Sequence, residues 1–138
     1  NPIRRLLLLG QINQIRCQAA RHLLERKVLH LHGELRKARS TADPSRIYEI
    51  EGWELRDGDL CELGSQLRPH IVWFGEPVPE IGRAGEIVRT ADALVIVGTS
   101  LAVYPAAGLA FQASASARVF LLDPDPPEGV AAIHPGLE

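Results

Sequence analysis

The chain has 138 residues, 46% of them hydrophobic and 23% charged, with a formal net charge of −2. That length fits one compact domain with a real core, and the near-neutral balance gives no electrostatic basis for binding nucleic acid or an acidic membrane surface. No apolar run approaches the ~20 residues that span a bilayer, and Cys17 and Cys61 are too few for a disulfide framework, so a reducing, cytoplasmic setting is expected.

Residues 3–27 are rich in Arg and Leu, with Leu8, Ile12, Ile15 and Ala19 at helical spacing, which predicts one or two helices. Leu6 to Leu9 follows Arg4 and Arg5 but is shorter than the roughly 7–15 residues of a signal-peptide core. Val28 to Leu31 reads as a short strand ending at His32-Gly33. Residues 34–66 mix charges, turn formers such as Asp43-Pro44-Ser45 and Asp57-Gly58-Asp59, and short β-prone pieces, the pattern of an inserted loop-rich module. His70 to Phe74 reads as a strand. Ile81, Ala84, Ile87, Val88 and Ala91 form the buried stripe of a helix, and Ala93 to Val97 is an apolar strand of the kind buried on both faces. Pro105 suits the first turn of a helix running to about Ala115. Arg118 to Leu122 is the last strand, stopped by Asp123-Pro124-Asp125-Pro126-Pro127. This rhythm predicts an α/β fold built on a parallel sheet.

Three short blocks carry the chemistry. Gly98-Thr99-Ser100 follows a buried strand, where glycine admits a ligand to the backbone and hydroxyls can bind ribose or phosphate oxygens. The same triplet is also compatible with a plain strand-to-helix turn. His30 and His32 alternate along the predicted strand and would share a face; they read as structural histidines, as two of the ligands a metal needs, or as a general base. Position favours His32, beside the break at Gly33. Trp73-Phe74-Gly75-Glu76 sets two aromatics before a glycine turn, which serves core packing or walls a narrow apolar tunnel beside an edge open to strand addition.

Taken in order, His32-Gly33, Leu67-Arg68-Pro69-His70-Ile71-Val72-Trp73-Phe74-Gly75-Glu76 and Gly98-Thr99-Ser100-Leu101 with Pro105-Ala106-Ala107-Gly108 resemble the sirtuin family of NAD-dependent protein lysine deacylases, in its bacterial, class III-like branch. The resemblance covers roughly residues 28–124. It implies a partial Rossmann-like parallel sheet with a small inserted module. It also implies that His32 is the general base acting on NAD ribose hydroxyls while nicotinamide leaves and the acyl group passes from lysine to ADP-ribose. Gly98, Thr99, Ser100 and Asp123 would contact NAD. Val72, Phe74, Gly75 and Glu76 would bind the acyl-lysine of a protein or peptide substrate.

Departures from the family pattern are equally specific. The family's zinc module carries two cysteine pairs; here Ser40 stands where the first pair begins and only Cys61 remains, so no structural zinc is expected. The module would then rest on packing by Ile47, Tyr48, Ile50, Trp53 and Leu55. The Gly-rich loop G-A-G-x-S has no counterpart. Counting back from His32 puts Asn13 to Cys17 where the family has T-Q-N-[IV]-D, and only Gln14, a candidate cofactor contact, agrees. The expectation is that 28–138 is most of the second half of a sirtuin-like catalytic domain, with 34–66 as its inserted module and 1–27 a diverged or remnant segment. Exposed strand edges would then favour self-association. Two other functions stay open: a catalytically dead ADP-ribose or peptide-binding fragment, and a NAD hydrolase or ADP-ribosyltransferase.

Overall fold

A computed structural model describes the backbone of residues 6–10 and the whole of residues 28–52 and 54–138. The chain divides into two compact units, residues 30–78 and the combined segments 1–29 and 79–138.

The larger unit is built on a three-stranded parallel sheet. Its strands are β1 (Leu6–Gly10), β5 (Ala93–Val97) and β6 (Arg118–Leu122), in the order β1-β5-β6. The middle strand is the most apolar, as a strand paired on both edges and covered on its faces must be. Ala93, Leu94 and Ile96 are completely buried, and so is Val119 on the neighbouring strand. Each large aliphatic side chain removed from water in this way contributes roughly 1.5–3 kcal/mol. Between β5 and β6 the chain forms a 3-10 helix, Ala106–Gln112, directly after Pro105. Its Leu109 and Ala110 are buried. It packs against helix α1 (Ile81–Arg89), whose buried positions are Ala84, Gly85 and Val88. Arg89 donates to the Gln112 side chain at 2.7 Å, tying the two helices together. The segment after β6 returns to the sheet: Leu137 bridges to Val119, and Leu121 N–H donates to the Glu138 carbonyl. His134 pins this return, with one ring nitrogen 3.0 Å from the Ser114 carbonyl and the other accepting from Gly136 N–H.

Residues 30–78 form the second unit around an antiparallel sheet. Strands β2 (Gly33–Ser40), β3 (Ile47–Glu49) and β4 (Leu67–Ile71) lie in the order β3-β2-β4. Pro69 is tolerated in β4 because that strand is an edge, where a missing N–H costs no ladder bond. Between Gly33 and Ala38 the register against β4 shifts, so β2 carries a bulge next to its first residue.

Several expectations are corrected. Leu6–Gly10 is a strand rather than part of a helix, because pairing with β5, Leu8 opposite Val95, satisfies its backbone. The remaining helical reading over 11–27, including Ile12, Ile15 and Ala19, lies outside the described residues. Val28 to Leu31 is not a strand; β2 begins at Gly33, so His30 and His32 sit in the turn before it and share no strand face. The strand expected over His70 to Phe74 is instead Leu67–Ile71, and Trp73 to Glu76 form a turn. The helix expected to reach Ala115 is a 3-10 segment ending at Gln112. Of the residues expected to pack the inserted module, Ile47 is half exposed and Tyr48, Ile50 and Leu55 are partly buried, while Ala38, Ser40 and Cys61 are buried. Trp53 lies outside the described residues.

Candidate functional site

In the parallel sheet, Gly98, Thr99 and Ser100 leave the C-terminal end of β5, and Asp123 leaves the same end of β6. The strands are in register with Val97 opposite Leu122, and Gly98 N–H donates to the Leu122 carbonyl at 3.1 Å. The two loops are therefore side by side at the strand end where open α/β sheets bind ligands. Gly98 has φ +57°, and Leu101 has φ +52°, a left-handed conformation that a branched side chain adopts at a cost. The Thr99 hydroxyl accepts from Leu101 N–H at 3.3 Å, and the Asp123 carboxylate accepts from Asp125 N–H at 3.0 Å. The next helical segment starts at Ala106, after Pro105, so the triplet does not lie at a helix N-terminus. The polar groups this loop offers are its own N–H groups and hydroxyls.

The other candidates gather in the 30–78 unit. His32 lies in a turn closed by Gly33 N–H donating to the His30 carbonyl, and its imidazole is exposed, with no hydrogen bond among the described residues. Val72 N–H donates to the His32 carbonyl at 3.0 Å. The His-Gly turn and the start of the aromatic segment thus lie in direct contact, although 40 residues separate them in sequence. Gly33 permits this closeness. It has φ +81°, and a Cβ there would lie 2.0 Å from the His70 carbonyl oxygen. His30 approaches Glu34 at 3.7 Å, and the hydrogen bond from Lys37 holds the Glu34 carboxyl below its ordinary range.

Downstream of Val72 the chain turns. Glu76 N–H donates to the Trp73 carbonyl at 3.0 Å, and Gly75 has φ +86°. That is the position a type II turn reserves for glycine. Phe74 at the apex is 96% exposed and Trp73 is half exposed. The Glu76 carboxylate faces away from the apex, toward Trp73 N–H and the guanidinium groups of Arg39 and Arg68. These donors, Trp73 N–H foremost, hold its pKa down. Sequence reasoning missed Arg39, which carries no local motif, and gave Arg68 no role within its block. It also missed His70, whose Nδ1 is buried without a partner and whose pKa is pushed down by burial. Gln14 lies outside the described residues.

The buried corner of the small sheet holds Ser40, Cys61 and Ser65. Their side chains interlock: Ser40 and Ser65 hydroxyls are 2.8 Å apart, and the Cys61 thiol is 3.0 Å from Ser65 and 3.5 Å from Ser40. One thiol and two hydroxyls do not fit zinc, which takes four thiolate or imidazole donors in structural sites, and no cluster of three or more metal-ligating side chains occurs among the described residues. Ser40 also accepts from the N–H groups of Ala42 and Asp43. A hydrogen-bonded knot occupies this corner.

A parallel sheet with polar, glycine-bearing loops at its strand ends, and a small antiparallel module carrying an exposed histidine and an exposed aromatic turn, define a Rossmann-like α/β protein of the sirtuin type. Residues 8–105 match the Sir2 family, and the chain belongs to it. It is 51% identical over 104 residues to an NAD-dependent protein deacylase of Bacteroides thetaiotaomicron, covering 72% of this chain and 44% of that protein. An NAD-dependent protein deacylase of Helicobacter pylori strain 26695 is 50% identical over 98 residues, 71% of this chain and 42% of that protein. Among solved structures, a Sir2 homolog–NAD complex superimposes with a TM-score of 0.68 at 34% identity, covering 80% of this chain and 44% of that one. A Sir2 complex with a p53 peptide and NAD+ gives 0.65 at 28% identity, covering 80% and 48%. The chain spans less than half the length of the curated relatives it matches. Among the described residues no helix is long and apolar enough to cross a membrane.

Proposed function

We propose that this chain contributes the catalytic histidine and the acyl-lysine segment of a NAD-dependent protein lysine deacylase. The observation that carries the proposal is the hydrogen bond from Val72 N–H to the His32 carbonyl. It ties the backbone of the turn that carries an exposed imidazole to the segment whose aromatic turn suits a long, uncharged acyl-lysine side chain. In this reading NAD supplies the ADP-ribose acceptor and the leaving nicotinamide. His32 takes a proton from a ribose hydroxyl, and a histidine does this without extreme tuning because its natural range spans neutral pH. Gly98, Thr99 and Ser100 would hold ribose and phosphate oxygens through loop N–H groups and hydroxyls, with Asp123 accepting from the adenine-side ribose. Val72, Phe74 and Gly75 would line the path of the acyl-lysine. A cytoplasmic setting is consistent with the unpaired Cys61 thiol.

The test is nicotinamide release from NAD with and without acetyl-lysine and succinyl-lysine peptides, beside a His32→Ala variant. Peptide-dependent release that disappears in the variant is the expected result. Release without peptide would favour NAD hydrolysis or ADP-ribosyl transfer. Departure from the family motif at Asn13 to Cys17 favours one second reading, a module that binds ADP-ribose or peptide without turnover; binding with no release by folded protein would establish it.

A further inference from the structure

Within the 30–78 unit, β2 and β4 set Arg39 directly opposite Arg68. Like charges paired across a ladder repel each other, so this register needs an anion. Glu76 supplies it. Arg39 Nη2 donates to Glu76 Oε2 at 3.1 Å, and the Arg68 fork donates to both carboxylate oxygens, at 2.6 and 3.3 Å. Oε2 also accepts from Trp73 N–H at 3.0 Å, so the carboxylate that bridges the two arginines closes the turn in which it sits. The Arg68 guanidinium carbon lies 5.8 Å from the centroid of the Trp73 ring, adding a cation–π contact to the same knot.

The turn has little else to hold it. Phe74 is almost wholly exposed, Trp73 is half exposed, and nothing lies within 4 Å of where a Cβ on Gly75 would stand. Apolar packing therefore does not fix the aromatic apex, whereas charge-assisted hydrogen bonds of this kind are strong and directional.

We infer that Glu76 is a positioning residue: its carboxylate, clamped by Arg39 and Arg68, holds the Trp73–Glu76 turn in the shape that presents Phe74 to an acyl-lysine side chain. This rests on the deacylase reading and changes one part of it, because the Glu76 side chain is directed at the clamp and not at substrate. The clamp sets how well an acylated peptide binds and does not take part in proton transfer.

The test uses the complete chain with Glu76→Gln, Glu76→Ala and Arg68→Lys. It measures affinity for a fluorescein-labelled acetyl-lysine peptide by anisotropy, amide exchange at Trp73 and melting temperature. Glu76→Ala should weaken the peptide by about tenfold or more, the scale of losing a charge-assisted bond, and should speed exchange at Trp73. Glu76→Gln keeps an acceptor for Trp73 N–H but loses the charge, so it should fall between wild type and Glu76→Ala. Arg68→Lys keeps the charge and loses the fork, giving a partial loss. Loss of the Glu76 charge leaves Arg39 facing Arg68 and lowers the melting temperature as well, so affinity is compared well below the melting temperature of each variant, where all are folded, which separates positioning from general destabilisation. If Glu76→Ala fails to fold, Glu76→Gln decides. Peptide affinity unchanged by Glu76→Gln and Glu76→Ala, with wild type binding, overturns this inference and leaves the deacylase reading standing. A wild-type protein that binds no acylated peptide overturns that reading, and the inference with it.

Discussion

Replacing Gly33 by alanine gives the sharpest test of how the histidine turn is held. Gly33 has φ +81°, and its new Cβ would lie 2.0 Å from the His70 carbonyl oxygen, 2.9 Å from the His70 carbonyl carbon and 3.0 Å from the Ile71 Cα. All three are backbone atoms, so no rotamer change relieves the clash, and β2 and β4 must part. A non-glycine residue in the left-handed region costs roughly 1–2 kcal/mol. Separation also breaks one or two backbone hydrogen bonds, including Val72 N–H to the His32 carbonyl, at about 1 kcal/mol each. The sum is about 2–4 kcal/mol, which a urea slope of ~1.5 kcal/mol/M converts into a midpoint ~1–3 M lower. Tryptophan fluorescence is the natural assay, because the chain's two tryptophans, Trp53 and Trp73, both belong to residues 30–78. The reasoning fails if Gly33→Ala unfolds within about 0.5 M of wild type, a shift too small for these combined costs.

Three further outcomes follow from burial and charge. Ile96→Ala, at a fully buried position of the central strand, should cost about 2–5 kcal/mol in a circular-dichroism urea melt; a loss below 1 kcal/mol would show that the core around β5 collapses freely to fill the gap, against the tight packing of protein interiors. The hydroxyls of Ser40 and Ser65 lower the Cys61 thiol to about 7, from an ordinary 9.0. Between those values the unfolded chain binds the extra proton, so stability should rise from pH 7 to pH 9, fade below pH 7, and lose this dependence in Cys61→Ala. A wild-type urea midpoint with the same pH slope as Cys61→Ala contradicts that. Glu34, Asp43, Glu62 and Glu76 all have lowered pKa values and all lie in the 30–78 unit. Their stabilisation is present above the ordinary carboxylate range and is lost as pH falls through the folded values. Tryptophan emission should therefore report acid unfolding below about pH 4.5, shifted toward higher pH in Lys37→Ala, which removes the main partner of Glu34; an unshifted transition would exclude that pair as a contributor.

Some of the architecture was written locally. Helix α1, β5 and β6 follow from apolar periodicity because burial acts on each residue in place: Ala84 and Val88 return at helical spacing, and Ala93 to Val97 form an unbroken apolar run. The loops at the C-terminal strand ends were legible for the same reason, since Gly98-Thr99-Ser100 and Asp123 mark those ends by their residue types. Ile87 shows the limit, lying on the predicted stripe yet 38% exposed.

What tertiary structure alone decided is whatever depends on a partner distant in sequence. Four leucines at 6–9 favour helix by intrinsic propensity, and they form a strand because β5 completes their hydrogen bonds. The strand near His32 begins at Gly33, five residues after the start its pattern suggested at Val28, where the Gly33 backbone meets that of His70 at a distance no side chain allows. Arg39 and Glu76 stand 37 residues apart and Ser40 and Cys61 stand 21 apart. No window of sequence contains either pair. The sequence by itself determined the family, through its resemblance at three motifs, and two of the three parallel strands with the residue types at their C-terminal ends, since these rest on short-range order. Only the fold decided which groups the Glu76 carboxylate meets and that Ser40, Cys61 and Ser65 share one corner, because charge pairing and hydrogen bonding act through space and not along the chain.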